Sequence, residues 1–210
     1  MLYKYFSFNE NSLSCLINNE IWASKPTEFN DPFDSILTID FENKKINSLF
    51  NEYVEHKAIS CFSKNMDNIL MWSHYADCHR GFCIGIDCLE LENSKIMVEV
   101  KYSESFLEVD NDTFLHSNKI GGINEEWQRI LTQKYDDWKY EEEVRLILQL
   151  NDSNAKGKLF CLPDGAIKEI YFGCNMNEKN KNTIRKILKN DQVIFYDMKK
   201  SKNNFKLDII

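Results

Sequence analysis

Gly81-Phe82-Cys83-Ile84-Gly85-Ile86 is a near-continuous apolar run entered from a glycine. Its length and composition are those of a strand buried on both faces, which places it at the centre of a sheet. Just upstream, Asp67 or Asn68 can cap a helix running to about Ala76, because their side chains accept bonds from the first free N–H groups. Downstream, residues 96–102 alternate as another strand, a helix is expected over 125–133, and 144–150 read as a strand entered from an acidic run. Further out, residues 159–162, 167–172 and 193–196 complete the strand set, with a helix over 179–188. At the start of the chain, residues 3–7 read as a strand, 11–19 as a helix and 21–23 as a strand. Asn30-Asp31-Pro32 within 29–34 reads as a turn, followed by a helix over 46–53 and a strand over 58–62. The expectation is an α+β fold, one domain over residues 1–210, with mixed or antiparallel sheets and flanking helices.

Composition narrows the function. The 210 residues carry 26 basic and 33 acidic side chains, a net charge of −7, so a general electrostatic grip on a nucleic-acid backbone is disfavoured and only a local basic groove remains open. Hydrophobic residues at 43% and aromatics at 13% fit a packed globule and exclude a disordered chain. The N-terminus has no signal-like apolar region and no stretch approaches a membrane span, so a cytoplasmic protein without membrane partners is expected. Seven cysteines, an odd number at irregular spacing, read as reduced thiols. His74, Cys78, His79, Cys83 and Cys88 are zinc-type ligands, but no C-x-x-C knuckle occurs and no metal site is expected. The phosphate loop, dinucleotide glycine fingerprint, nucleophile elbow and H-E-x-x-H are all absent from the sequence.

Two concentrations of chemistry remain. Ser60-Cys61-Phe62-Ser63 leads into Met71-Trp72-Ser73-His74-Tyr75-Ala76-Asp77 and His79-Arg80-Gly81, hydroxyls followed by an aromatic, an imidazole and a phenol. Trp72 and Tyr75 share a helical face and are equally compatible with core packing. Tyr140-Glu141-Glu142-Glu143-Val144-Arg145 is the second. Period-two alternation points Glu141, Glu143 and Arg145 to one side and Val144, Leu146 and Leu148 to the other. Nearby Trp138 and Tyr140 supply aromatic walls suited to a cationic planar group, although a charged run is by default a solvated edge. Asp31 and Asp34 with Glu143 offer oxygen ligands for a divalent cation, against which Asn30-Asp31-Pro32 is more simply a turn.

The ordered motifs Leu2-Tyr3-Lys4-Tyr5, Ile21-Trp22-Ala23-Ser24-Lys25-Pro26, Phe29-Asn30-Asp31-Pro32-Phe33, Cys61-Phe62-Ser63, Met71 to Asp77, His79-Arg80-Gly81-Phe82 and Tyr140-Glu141-x-Glu143-x-Arg145 resemble the bacterial and phage domain-of-unknown-function family numbered 2971. The resemblance runs from residue 2 to Tyr171-Phe172-Gly173, and departs from the family at Phe6, where arginine is common. In the order of its elements the chain also resembles ADP-ribosyltransferases. That second resemblance implies an NAD-using toxin or defence effector, with Glu143 stabilising the oxocarbenium character at the nicotinamide ribose and Glu141 orienting or deprotonating the acceptor. It further implies that Tyr5, Ser60, Ser63, Trp72, His74, Tyr75, Arg80 and Arg145 surround the nucleotide, Trp72 or Tyr75 stacking on nicotinamide and a serine positioning ribose. A non-enzymatic nucleotide- or partner-binding module and a metal-dependent phosphodiesterase are the alternatives.

Overall fold

A near-continuous apolar strand such as Phe82–Ile86 requires a sheet covered on both faces, and the computed structural model has that architecture. It describes residues 1–35, 44–87, 97–107, 125–189 and 192–210. The strands of the main sheet are β1 (Leu2–Phe6), β2 (Glu20–Ser24), β3 (Lys57–Ser63), β4 (Phe82–Ile86), β5 (Met97–Glu99), β8 (Glu143–Gln149), β9 (Gly157–Cys161), β10 (Ile167–Phe172), β11 (Ile194–Lys200) and β12 (Leu207–Ile209), while β6 (Lys101–Ser103) and β7 (Gln133–Tyr135) form a separate parallel pair. The helices are α1 (Glu10–Asn18), α2 (Lys44–Glu55), α3 (Ile69–Tyr75), α4 (Glu125–Ile130) and α5 (Glu178–Ile187). The fold is α+β around one large, open, mixed sheet to which both halves of the chain contribute, as the sequence implies.

Along the sheet the order is β12-β11-β10-β4-β1-β3-β2-β9. All of the pairings are antiparallel except β10 with β11, which α5 connects. The junction is β3. One of its edges pairs with β8 in unbroken register from Lys57↔Gln149 to Ser63↔Glu143. Its other edge is shared, with β2 meeting it at Ile59 and β1 only at Ser63. The sheet therefore splits where β1 and β2 part from β3.

Register decides which face each side chain takes. Phe82, Ile84 and Ile86 of β4, Ala58 and Phe62 of β3, and Val144, Leu146 and Leu148 of β8 join one apolar face, covered by Leu16 of α1 and Ile184 of α5. The opposite face has two separate covers. Met71 and Trp72 of α3 pack on Tyr5, Cys83 and Tyr171, whereas Phe50 and Val54 of α2 with Trp127 and Ile130 of α4 pack on Ile59 and Ile147. Side-chain caps fix the helix starts: Asn9 accepts from the Ser12 N–H, Asn68 from Leu70 and Met71, and Asn177 from Asn180.

Four details differ from the sequence reading. The strand expected over 96–102 is two short strands, β5 and β6, on either side of Val100. The helix expected over 125–133 stops at Ile130, and Gln133–Tyr135 is extended against β6. Asp136–Glu141 forms a 3-10 helix, and β11 runs on to Lys200 and pairs with β12. Cys88, one of the zinc-type residues, lies outside the described residues. The six cysteines that are described are free thiols, with Cys83 fully buried in β4. Among the described residues, no helix is long and apolar enough to cross a membrane.

Gly81 has a steric reason to be glycine: a Cβ there would lie 2.0 Å from the Phe6 carbonyl oxygen. Ile84, 1% exposed, sits in the middle of the central strand. Ile84→Asp should leave an unpaired carboxylate in the core at a cost of several kcal/mol, on the order of the whole stability of a domain, and yield no soluble folded protein. Recovery of a cooperatively unfolding Ile84→Asp protein would contradict the assignment of β4 to the sheet centre.

Candidate functional site

The two covers of the second sheet face do not meet, and a cavity of about 330 Å³ opens near where β1 and β3 diverge. Tyr3 and Tyr5 of β1, Ser63 of β3, Tyr75 of α3, and Glu141 and Glu143 at the entry to β8 all line it. Local structure places each of them. Asn68, besides capping α3, donates its side-chain amide to the Tyr140 carbonyl at 2.9 Å, which ties that helix to the 3-10 helix carrying Glu141. Glu142 takes a left-handed conformation with φ 44°, reversing the chain between the 3-10 helix and β8. Glu141 and Glu143 thereby point to the same cation, although only Glu143 belongs to the strand.

That cation is Lys134, on β7. Its ammonium donates to Glu141 at 2.5 Å and to Glu143 at 3.1 Å, and lies 3.7 Å from Asp34. Arg145 is fully buried behind it. Its guanidinium pairs with Asp34 through both terminal nitrogens (2.8 and 2.6 Å), with Glu143 through Nε (2.7 Å), and donates to the Ser35 hydroxyl and the Leu131 carbonyl. The cluster is thus three carboxyls around two cations, all at 9% exposure or less. Burying such charges is offset only by this degree of pairing.

The two glutamates differ chemically. Burial alone would raise the Glu143 carboxyl, but Arg145 and Lys134 outweigh it and hold its pKa at about 2. Glu143 accepts from Arg145 on one oxygen and from both Lys134 and Arg145 on the other, so little of it is free to meet a ligand. Among the described residues, Glu141 accepts only from Tyr75 Oη (2.5 Å) and Lys134. Burial raises its pKa and Lys134 only partly opposes that, making it the more readily protonated carboxyl of the pair. Tyr75 is pushed strongly upward by burial and by the neighbouring Glu141, so it stays a phenol and a donor. Lys4 also lines the cavity. Its ammonium donates to the Cys61 carbonyl at 3.0 Å, and burial lowers its pKa.

The residues singled out from the sequence separate into two groups. Tyr5, Ser63, Tyr75, Glu141 and Glu143 come together on the cavity. Tyr5 holds the Asn65 carbonyl at 2.8 Å, and the Ser63 hydroxyl accepts from the Asn65 N–H. Arg145 backs the cavity wall without entering it. The other four lie elsewhere. Ser60 alternates onto the apolar face of β3, its buried hydroxyl without a partner. Trp72 is core, donating to the Met66 carbonyl and packing edge-on against Tyr5 at 5.2 Å. His74 is exposed and bonded to Tyr140 Oη, and Arg80 is exposed and paired with Asp77. Asp34, read as part of a turn or a cation ligand, is instead the bidentate partner of Arg145, while Asp31 accepts from the Phe33 N–H. Lys134 had no signal in the sequence, because the helix expected there runs to Gln133 and hides the short strand that aims it.

Residues 71–146 match the model of the family described as "Protein of unknown function (DUF2971)". That span includes most of α3, Lys134 and the start of β8, hence most of the charged cluster. No curated protein and no solved structure matches the chain. The resemblance to the 2971 family thus has support over its middle part, and the resemblance to ADP-ribosyltransferases receives none.

Removing Arg145 strands Asp34 and Glu143 in the interior. Arg145→Leu should cost about 3–5 kcal/mol, read as a lowered urea midpoint or a failure to fold. The Glu143 pKa adds a dependence on pH. Because it lies below the ordinary carboxylate value, its stabilisation is present above about pH 4.5 and is lost as pH falls towards 2. The stability gap between wild type and Glu143→Gln should therefore be widest near neutrality and close on acidification, measured by urea unfolding across that range. Glu141, raised by burial, works in the opposite sense, so Glu141→Gln should narrow or reverse its gap near neutrality.

Proposed function

We propose that the cavity binds an NAD-type nucleotide and that the protein is an ADP-ribosyltransferase or NAD-glycohydrolase type of enzyme acting as a toxin or defence effector. The observation that carries this reading is the convergence of Tyr5, Ser63, Tyr75, Glu141 and Glu143, from five separate elements, on one cavity of about 330 Å³. Tyrosine faces accommodate a planar ring, hydroxyls suit ribose, and buried carboxyls suit a group that is or becomes cationic as nicotinamide leaves. Within this reading the geometry shifts the reacting role from Glu143 to Glu141. Glu143 is occupied by Arg145 and Lys134, whereas Glu141 keeps acceptor capacity and a raised pKa beside the Tyr75 hydroxyl. Glu143 and Arg145 then fix Lys134, and Lys134 positions Glu141.

The saturation of Glu143 favours a second reading, a non-enzymatic nucleotide-binding module in the same cavity. A phosphodiesterase built on Asp31, Asp34 and Glu143 has less to support it, since a metal ion would have to displace Arg145 from both Asp34 and Glu143.

Wild type, Glu141→Gln and Glu143→Gln are to be incubated with labelled NAD, alone and with bacterial lysate, following nicotinamide release and label transfer. Loss of a carboxylate that acts in the transition state costs on the order of a hundredfold in rate while affinity changes little, which is the expectation for folded Glu141→Gln. Equal turnover by wild type and Glu141→Gln would overturn that role. Calorimetry separates the readings: NAD binding by wild type without turnover supports the binding module, and no binding by wild type refutes both.

A further inference from the structure

The other face of α3 borders a second, open cavity of about 500 Å³, bounded by the loop between β11 and β12. Three ammonium groups line it, Lys200, Lys202 and Lys206, together with His79 and Phe205. No carboxylate lines it among the described residues, in a chain whose net charge is −7. Lys206 lies 3.3 Å from Asp208, and among the described residues no ion pair is formed by Lys200 or Lys202. At the tip of the loop Phe205 is 99% exposed, the most exposed large apolar side chain among the described residues. The backbone holds the loop in shape, with the Ser201 N–H bonded to the Lys206 carbonyl at 3.0 Å and the Lys206 N–H to that of Asn204 at 2.9 Å. Asn203 and Asn204 add amide donors and acceptors to the cavity wall, and Ser73 of α3 accepts from or donates to His79 Nε2 at 3.1 Å.

We propose that the β11–β12 loop and α3 form a binding site for single-stranded nucleic acid, with phosphates on Lys200, Lys202 and Lys206 and a base stacked on Phe205. Ammonium groups clustered with only one neighbouring carboxylate, Asp208 beside Lys206, recognise a polyanion, and an exposed aromatic face among them recognises a base of any sequence. The alternative polyanion, a membrane surface, is less well matched. One phenylalanine is a small anchor, and a cavity walled with asparagine amides and an imidazole offers hydrogen bonds that suit bases and sugar-phosphate rather than acyl chains. The site is separate from the glutamate cavity, which Met71 and Tyr75 of the same helix line, so its test does not depend on what that cavity binds.

Full-length protein is to be titrated into a fluorescently labelled short oligothymidylate, read by anisotropy over a series of salt concentrations. Three phosphate contacts predict a log–log salt slope of about −2 for a single strand. Lys200→Gln/Lys202→Gln/Lys206→Gln should abolish that slope and weaken binding at low salt at least tenfold. Phe205→Ala should weaken binding roughly tenfold and leave the slope unchanged. All four side chains are solvent-facing, and circular dichroism checks that each variant is folded. The proposal is overturned by absence of saturable binding at about 50 mM salt, by equal binding of the lysine variant, or by binding to anionic phosphatidylserine vesicles and not to the oligonucleotide. Complete displacement of the oligonucleotide by equimolar AMP would likewise overturn it, in favour of a mononucleotide site.

Discussion

A guanidinium buried beyond the reach of water can persist only where every N–H has an acceptor, and Arg145 meets that condition in one place. Asp34, Ser35, the Leu131 carbonyl and Glu143 surround it, coming from the N-terminal turn, the end of α4 and its own strand. The position of the turn, of the segment leading to β7 and of the first residue of β8 are thus set by one planar group. Lys134, Glu141 and Tyr75 follow outward from that arrangement, each held by the one before it.

The cavity is a consequence of how the second sheet face is covered. A single helix pair covers the first face, joining α1 and α5 over one continuous apolar cluster. On the second face α3 serves β1, β4 and β10 while α2 and α4 serve β3 and β8, leaving an uncovered strip above the divergence of β1 from β3. Charged residues in such a strip would ordinarily be solvated. Here Asp34, Lys134, Glu141, Glu143 and Arg145 are at most 9% exposed, so these charges interact at low effective dielectric, the condition in which proton affinities are moved furthest.

Much of the fold is legible in the sequence, because the near-continuous apolar run at Phe82–Ile86, the apolar segment at Ile167–Phe172 and a capping side chain at Asn68 are local signals that the sheet and helices obey. What stays hidden is non-local. Glu141 and Glu143 do face one side, as their spacing implies, but by way of a left-handed Glu142 that propensity does not announce. Trp72 and Ser60 illustrate the converse, since each lies in a motif-rich stretch and each is turned into the core by register. Asp34 and Lys134 are ordinary in sequence, and acquire their role only because Arg145 and Glu143 arrive from more than a hundred residues away in one case and across a tight reversal in the other.

The pairing of β3 with β8 and of β2 with β9 has a kinetic consequence. Residues 20–24 and 57–63 find most of their backbone partners only when residues 143–161 have been made and brought back to them. Closing such long loops costs entropy before any contact rewards it, which makes folding slow for a domain of this size. During that interval β3, with its apolar Ala58, Ile59 and Phe62, presents unpaired edges to solvent and to other nascent chains. A ribosome-bound fragment ending before residue 143 should therefore be a client of cellular chaperones, and overproduction should lead to inclusion bodies more readily at temperatures where hydrophobic association outruns loop closure.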